Sequence, residues 1–428
     1  MAPLRIMMLT TFYPPYSFGG DGISVQRMVR ALAARGAEIT VVHDKDAYLA
    51  LAGRAPVAAP NDPSPNIRVI GLKSPLGLVS SLITQQTGRT LVHGKALRAL
   101  VDEIRPDVIW HNNVSLMGAP GVLDLPASLR IYEAHEHWLV CPTHVLWRHG
   151  RELCTEKQCL RCVIAHRRPP QLWRHTGFLD RQLEKMDLII AKSEFSRKKH
   201  AEFGFGHDMK VLPLFLPPRK DAPERSAGSD IHPRPFFLFA GRLEEIKGVQ
   251  DIIPVFRAQD RADLIVAGDG DYAPELKRLA QGDPRIRFLG RIPPEDLARY
   301  YAGALASIVP SICYETFGAI LIESFREGTP VIARDLGPFP EIVNTAGAGC
   351  LFGTEAELVA AIDRVQDDPT LRGTWSDAAL AAFDQHWRED RVLHQYGLSL
   401  SDTARNKNLN GLATRLRDTF SAAAKNAK

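Results

Sequence analysis

The chain is poor in sulfur, with six cysteines in 428 residues. That excludes a disulfide scaffold as the general framework of the fold. No uninterrupted apolar run approaches the roughly 20 residues that cross a bilayer as a helix. The opening "MAPLRIMMLTTFYPP" lacks a small-residue cleavage site, and its apolar run is too short for a secretory leader. It runs straight into a glycine-rich loop, so it reads as a first β-strand and the protein as cytoplasmic. No internal sequence repeat is visible. An excess of one charge is also missing, since 53 Lys/Arg against 49 Asp/Glu leave a net +4.

That small excess is unevenly spread. Residues 1–210 hold 27 Lys/Arg against 19 Asp/Glu, and the remainder holds 26 against 30. The basic density peaks at Arg148, Arg151, Arg161, Arg167, Arg168 and Arg174, then at "RKKH" (197–200). Such a face suits an anionic partner, here an acidic membrane surface on the cytoplasmic side, or is a plain solvated face. No nucleic acid is expected.

The length exceeds what one core supports, so two domains are expected. Residues 1–211 alternate strand-like runs ("LRIMMLTTF", "AEITVVHD", "IRVIGL", "PDVIWHN", "LRIYEAH", "DLIIAKS") with helical patterns at 22–36 and 90–104. That rhythm means a parallel, doubly wound α/β sheet. Residues 212–235, rich in Pro and charge, read as a linker. The rhythm restarts over 236–385, with a helix expected at 317–327. Residues 386–428 form helices and a tail that crosses back to the first domain. There Leu409, Leu412, Leu416 and Phe420 make an apolar stripe that packs on a domain or meets a partner. Ligands of open α/β sheets sit beyond the strands' carboxyl ends, so two such domains facing each other place them in a cleft.

Three loops of the second half carry candidate chemistry. "GRLEEIKG" (241–248) offers Arg242 and Lys247 to phosphate oxygens. "AGDG" (267–270) is a tight turn around Gly268. "CYETFGAILIESFREGTPVIARD" (313–335) puts Phe317 and Gly318 at a helix N-terminus suited to a diphosphate, and Glu315 eight positions ahead of Glu323.

With "FLGRI" around Arg291, "VPS" and "EGTPVIA", this block resembles the retaining glycosyltransferases of GT-B family 4, whose hallmark is a Glu, seven residues and a second Glu. The resemblance implies two Rossmann-like domains facing across a cleft and transfer of a sugar from a nucleotide-diphosphate donor, UDP- or GDP-linked. The acceptor is then a saccharide, a lipid-linked sugar or a small metabolite, in glycan, glycolipid or metabolite biosynthesis. It implies that Glu315 binds donor-sugar hydroxyls, Glu323 the ribose diol, and Arg242 and Lys247 the leaving diphosphate. Eight helical residues span about 12 Å, comparable to the distance from sugar ring to ribose. It further implies that Gly19 and Gly20 approach the donor phosphate and that His135 of "YEAHEHWLVCP" bonds the transferring sugar. Glu136 stands where an Asp is common. His111 and Asn112 of "WHNN" face the acceptor side. No Asp-x-Asp pair stands in the expected metal position, and no cofactor is required for catalysis. The chain departs from the family at "DLGPFPE" (335–341), where a Gly-Gly is frequent. A nucleotide-sugar epimerase or a phosphorylase on the same fold is the alternative enzyme, and a polyanion-binding module the non-enzymatic one.

Cys141, Cys154, Cys159 and Cys162 end as Cys-x4-Cys-x2-Cys. That spacing fits a structural zinc in an insertion over 141–162, an iron–sulfur cluster, or reduced thiols. Cys313 and Cys350 read as core thiols.

Overall fold

A computed structural model describes residues 2–56, 64–219 and 231–423. The chain forms two compact units. The first comprises Met1–Lys192, Arg197–Pro213 and Val392–Lys428; the second comprises Ser193–Ser196 and Leu214–Arg391.

The first unit contains β1 (Arg5–Leu9), β2 (Glu38–Asp44), β3 (Ile67–Leu72), β4 (Val108–His111) and β5 (Leu129–Ala134), then a small hairpin of β6 (Trp147–Arg148) and β7 (Glu152–Leu153), then β8 (Leu188–Ala191) and β9 (Lys210–Val211). Seven of these make one sheet in the order β3-β2-β1-β4-β5-β8-β9, and its paired strands run parallel. The second unit contains β10 (Phe236–Ala240), β11 (Asp263–Ala267), β12 (Ile286–Gly290), β13 (Ser307–Val309), β14 (Val331–Arg334) and β15 (Gly349–Phe352), again parallel, in the order β12-β11-β10-β13-β14-β15. Central strands are buried on both faces: every residue of β10, "FFLFA", is buried. This is the continuous apolar run that helices on both sides of a parallel sheet demand.

Two expectations change at the boundaries. Residues 220–230 of the expected linker lie outside the described residues. On either side, however, the chain belongs to the second unit. Leu216 is fully buried, packs with Phe325, Ile342 and Trp387, and exchanges main-chain hydrogen bonds with Trp387 and Glu389. Beyond residue 230, buried His232 bonds Asp263 at 2.6 Å. The prolines and charges around them mask these anchors in the sequence. The helix expected over 317–327 is Ala319–Arg326. Glu315 therefore lies in the preceding loop, and its separation from Glu323 is not a helical rise.

Val392–Lys428 belongs to the first unit. Its helices, Glu389–Asn406 and Asn410–Ser421, cross closely: a Cβ at Gly397 would stand 2.6 Å from the Cβ of Phe420. Leu412, Leu416 and Phe420 are buried while Leu409 is half-buried, and the Phe420 ring stacks 6.4 Å from Trp110 of β4. Arg415 adds a two-pronged ion pair to Asp107, with contacts of 2.8 and 2.9 Å. The stripe is spent on packing.

A candidate donor half-site and a buried polar network

In the second unit the loops after β10, β11 and β13 are joined main chain to main chain. Gly268 has φ +144, and a Cβ there would stand 1.8 Å from the carbonyl oxygen of Gly241. No side chain fits at 268. A Cβ at Gly248 (φ +73) would stand 2.0 Å from the Pro310 oxygen, and the Ile312 N–H donates to Ile246 at 2.9 Å. The turn carrying Lys247 is thus zipped to the segment that leads into Glu315.

The result is an ion pair between the two loops. Lys247 Nζ lies 2.5 Å from Glu315 Oε1, with Ser311 Oγ at 3.5 Å from the same oxygen. Both side chains are largely buried, at 15% and 25% exposure. Burial alone raises a carboxyl's pKa, but the Lys247 ammonium, aided by Arg242 and Ser311, outweighs it and holds Glu315 below the usual carboxylate range. Burial pulls the lysine down, and the Glu315 charge more than restores it, so Lys247 stays cationic. Beside them burial pushes the Cys313 thiol up to about 12.

The other second-unit candidates surround this pair unequally. Arg242 is half exposed and paired with Glu244 at 2.6 Å. Phe317 is buried among Leu321, Phe339 and Ile342, so its side chain is core and only its main chain is available to a ligand. Gly318, in the left-handed region at φ +104, precedes the helix without a side-chain cap. Its Cβ would stand 2.8 Å from the Phe339 ring. Glu323 is half-buried on that helix, 3.5 Å from the Tyr301 hydroxyl. Arg291, just past β12, is exposed.

The first unit holds a second buried charge that the sequence reading overlooked. Glu133 of β5 accepts from Trp110 Nε1 at 2.7 Å, from Lys192 Nζ and from the Tyr396 hydroxyl at 3.4 Å. His135 Nε2 lies 3.5 Å from its carboxylate and 3.0 Å from Asn112 Oδ1. The Asn112 amide nitrogen is 3.3 Å from the carbonyls of both Leu9 and Trp110, which turns its oxygen to the histidine. His135 therefore donates from Nε2. Burial, with the Lys192 charge, lowers its pKa to about 4 against the pull of Glu133, so the ring is neutral near pH 7. The alternating "YEAHE" signalled that Glu133 shares a face with His135, but its lysine partner is 59 residues away.

Gly19 has an extended backbone, and Gly20 opens the helix Gly20–Ala34 with no atom within 4 Å of a built Cβ, so close approach is sterically free there. His111 is placed away from any acceptor: it is fully buried, with its ring nitrogens 3.0 and 3.3 Å from the carbonyls of Ile131 and Val122. Asn112 is likewise 3% exposed and spent on the network above. Glu136 bonds His144 Nδ1 at 2.7 Å.

The four clustered cysteines are free thiols. All of them line one cavity of about 20 Å³ between the β6–β7 hairpin and the helix Cys159–Ala165. Burial, then the neighbouring sulfurs Cys141, Cys162 and Cys159, pushes Cys154 up to about 11. Four soft donors around one cavity suit a soft cation. In this structure the sulfurs do not close on the cavity centre: among the described residues the one triad of donor atoms within 4.8 Å of one another is Asp44, Asp46 and His93.

Two parallel Rossmann-like units, with cationic and glycine-rich loops at strand ends, define a GT-B glycosyltransferase. Two glycosyltransferase family models together cover most of the chain. The family model for Glycosyltransferase Family 4 matches residues 18–220, and that for Glycosyl transferases group 1 matches residues 222–381. Glycogen synthase of Mycobacterium tuberculosis is 25% identical over 398 residues, which cover 86% of this chain and 87% of that protein. Among solved structures, sucrose-phosphate synthase from Thermosynechococcus elongatus superposes with a TM-score of 0.69 at 20% identity, covering 94% of this chain and 100% of the other. Anabaena HepE in complex with UDP-glucose gives 0.62 at 19% identity, covering 93% and 100%. The enzyme is a transferase of sugars.

The His111 placement yields a test. Burial, then Arg130, lowers its pKa to about 4 against two carbonyl partners. Its unfolded value is about 6.5. Below pH 6.5 the unfolded chain takes up this proton first, so stability falls as pH drops from about 6.5 towards 4. His111→Gln is expected to flatten the pH dependence of the denaturation midpoint in that window. Parallel wild-type and variant curves would refute the buried neutral ring.

Proposed function

We propose that the protein is a retaining glycosyltransferase that takes its sugar from a nucleotide-diphosphate donor bound by the second unit. The observation that carries this reading is the Lys247–Glu315 pair, fixed at the carboxyl ends of β10 and β13 by glycine-mediated main-chain contacts. Glu315, held ionised, accepts hydrogen bonds from sugar hydroxyls. Lys247 and the exposed Arg242 meet the diphosphate, as do Gly268 and the uncapped helix start at Gly318. Glu323 takes the ribose diol, Arg291 approaches from the β12 loop, and in the first unit His135, whose Nε2–H goes to Asn112, accepts from a sugar hydroxyl at Nδ1. The anomeric C–O bond to phosphate breaks, the acceptor oxygen bonds the same face, and the acceptor proton passes to the departing phosphate. A carboxylate kept below its usual pKa is a weak base, which favours this route over one through Glu315. The UDP-glucose bound to HepE puts uridine donors first in a ligand panel, with guanosine donors second.

Two further readings accompany it. The Cys141, Cys154, Cys159 and Cys162 cavity holds a structural zinc, with no part in the chemistry. The face of the first unit around the helix Leu78–Thr87 docks on an anionic bilayer that carries a lipid-linked acceptor. Leu76, Leu78, Val79, Leu82 and Leu91 are exposed there, beside exposed Lys73, Arg89, Lys95 and Arg98. No acidic residue occurs between Asp62 and Asp102. Apolar insertion and positive charge on one face are the two terms of interfacial binding. Among the described residues no helix is long and apolar enough to span the membrane.

Glu315→Gln and Lys247→Met should each lower turnover by about 10²-fold or more with the circular-dichroism spectrum unchanged. The wild-type product should keep the donor's anomeric configuration by NMR. Wild-type rates in both variants, or an inverted product, would end the assignment. Metal analysis of purified protein should find zinc that Cys159→Ser/Cys162→Ser removes. Unchanged zinc in that variant would defeat the thiol site. In flotation assays the protein should rise with vesicles containing phosphatidylglycerol, and Leu78→Ser/Leu82→Ser should halve the bound fraction or better. Equal binding to neutral vesicles would contradict the basic face.

A further inference from the structure

Asp44, Asp46 and His93 meet in the first unit, among residues given no role above. Asp44 ends β2, and its Oδ1 caps the helix Lys45–Ala52 by accepting from Ala47 N–H at 3.0 Å. Asp46 sits on that helix, and its Oδ2 accepts from the Ser74 N–H and hydroxyl, both at 2.7 Å. His93 precedes the helix Gly94–Ile104. Its Nε2 stands 3.7 Å from Asp44 Oδ2, 3.8 Å from Asp46 Oδ2 and 3.4 Å from Ser80 Oγ. The three side chains are 0%, 1% and 5% exposed.

Two observations point to a ligand between them. The imidazole does not satisfy the acids, because 3.7–3.8 Å is well beyond a hydrogen bond. Asp44 Oδ2, the oxygen facing the histidine, has no hydrogen-bond partner, and neither has Asp46 Oδ1, although both are buried. Orphaned buried carboxylate oxygens are costly, and such groups are paired or bind metal. The spacing fits an ion. Ligand atoms at roughly 2.0–2.2 Å from one zinc stand about 3–4 Å apart. A mixed set of imidazole and carboxylates suits zinc or manganese over calcium or magnesium.

We propose that Asp44, Asp46 and His93 form a structural site for a divalent transition metal, with the Ser80 hydroxyl or a water completing the shell. The ion ties the end of β2 to the helix Lys45–Ala52, the Ser74 loop and the start of the helix Gly94–Ile104. It does so under the stretch that carries the exposed leucines. The site is independent of the donor reading and of the thiol cavity.

The test uses full-length protein in the Cys159→Ser/Cys162→Ser background, stripped with chelator, dialysed and titrated with zinc chloride or manganese chloride alone. Calorimetry should show about one equivalent bound, and thermal melts should show a metal-dependent rise in midpoint. His93→Gln or Asp46→Asn should weaken binding at least tenfold and abolish the rise. If either variant fails to fold, X-ray absorption of the zinc-loaded background protein decides: nitrogen and oxygen ligands near 2.0–2.1 Å support the site. Absence of saturable uptake, as for a bridging water alone, overturns the proposal. So does uptake that both variants leave unchanged, or a shell containing sulfur.

Discussion

The second unit depends on one electrostatic fact: Lys247 and Glu315 can be buried only together. Either charge alone in that setting would be neutralised or expelled. Their joint burial requires the two loops to stay in register, and the main chain supplies this, with Gly248 against Pro310 and Gly268 against Gly241. The glycines therefore have a structural use of their own. They let backbones touch, and that contact sets the charges. The pair also constrains the chemistry. A glutamate already held ionised by an ammonium offers lone pairs to hydroxyls more readily than it takes up a proton.

The first unit solves the same problem differently. Glu133 and Lys192 are buried in its core, and the pair is completed by Trp110 and by Tyr396 from the returning C-terminal helix. A fully desolvated pair repays its cost only when the remaining hydrogen-bond capacity is filled. The segment Val392–Lys428 is thus more than a cover. It brings the hydroxyl that finishes the shell of the carboxylate facing His135, so the histidine's surroundings depend on chain some 260 residues away.

Much of this was legible in the sequence. The apolar run ending at Gly241 gave β10 within two residues of 236–242, because a twice-buried parallel strand leaves no other pattern, and the edge strand β3 was read as 67–72 from its β-branched residues. The loops bearing Arg242, Lys247, Gly268 and Glu315 were found by their position after strands. Non-local geometry was not legible. Nothing in "WHNN" distinguishes a strand end open to a ligand from one whose histidine lies between two carbonyls, as His111 does. Phe317, beside Gly318, was read as the start of a helix facing a ligand, yet its ring is core. Lys192 ended an ordinary-looking strand, and only the fold pairs it with Glu133. Asp44 and Asp46 are two residues apart, but His93 lies far enough away in sequence that no spacing rule joins it to them.

The departure at "DLGPFPE" illustrates what a missing glycine costs. Where the family resemblance implies a Gly-Gly, this chain keeps Gly337, which lies in the left-handed region at φ +65. Pro338 then leads into the helix Phe339–Ala346, where a fixed φ is an advantage rather than a break. A Cβ at 337 would stand 3.6 Å from the Glu315 peptide nitrogen, ordinary van der Waals contact. The constraint at this position is thus conformational and not steric, and one residue able to take a positive φ meets it. A single glycine thus lets the loop turn beside the Glu315 main chain.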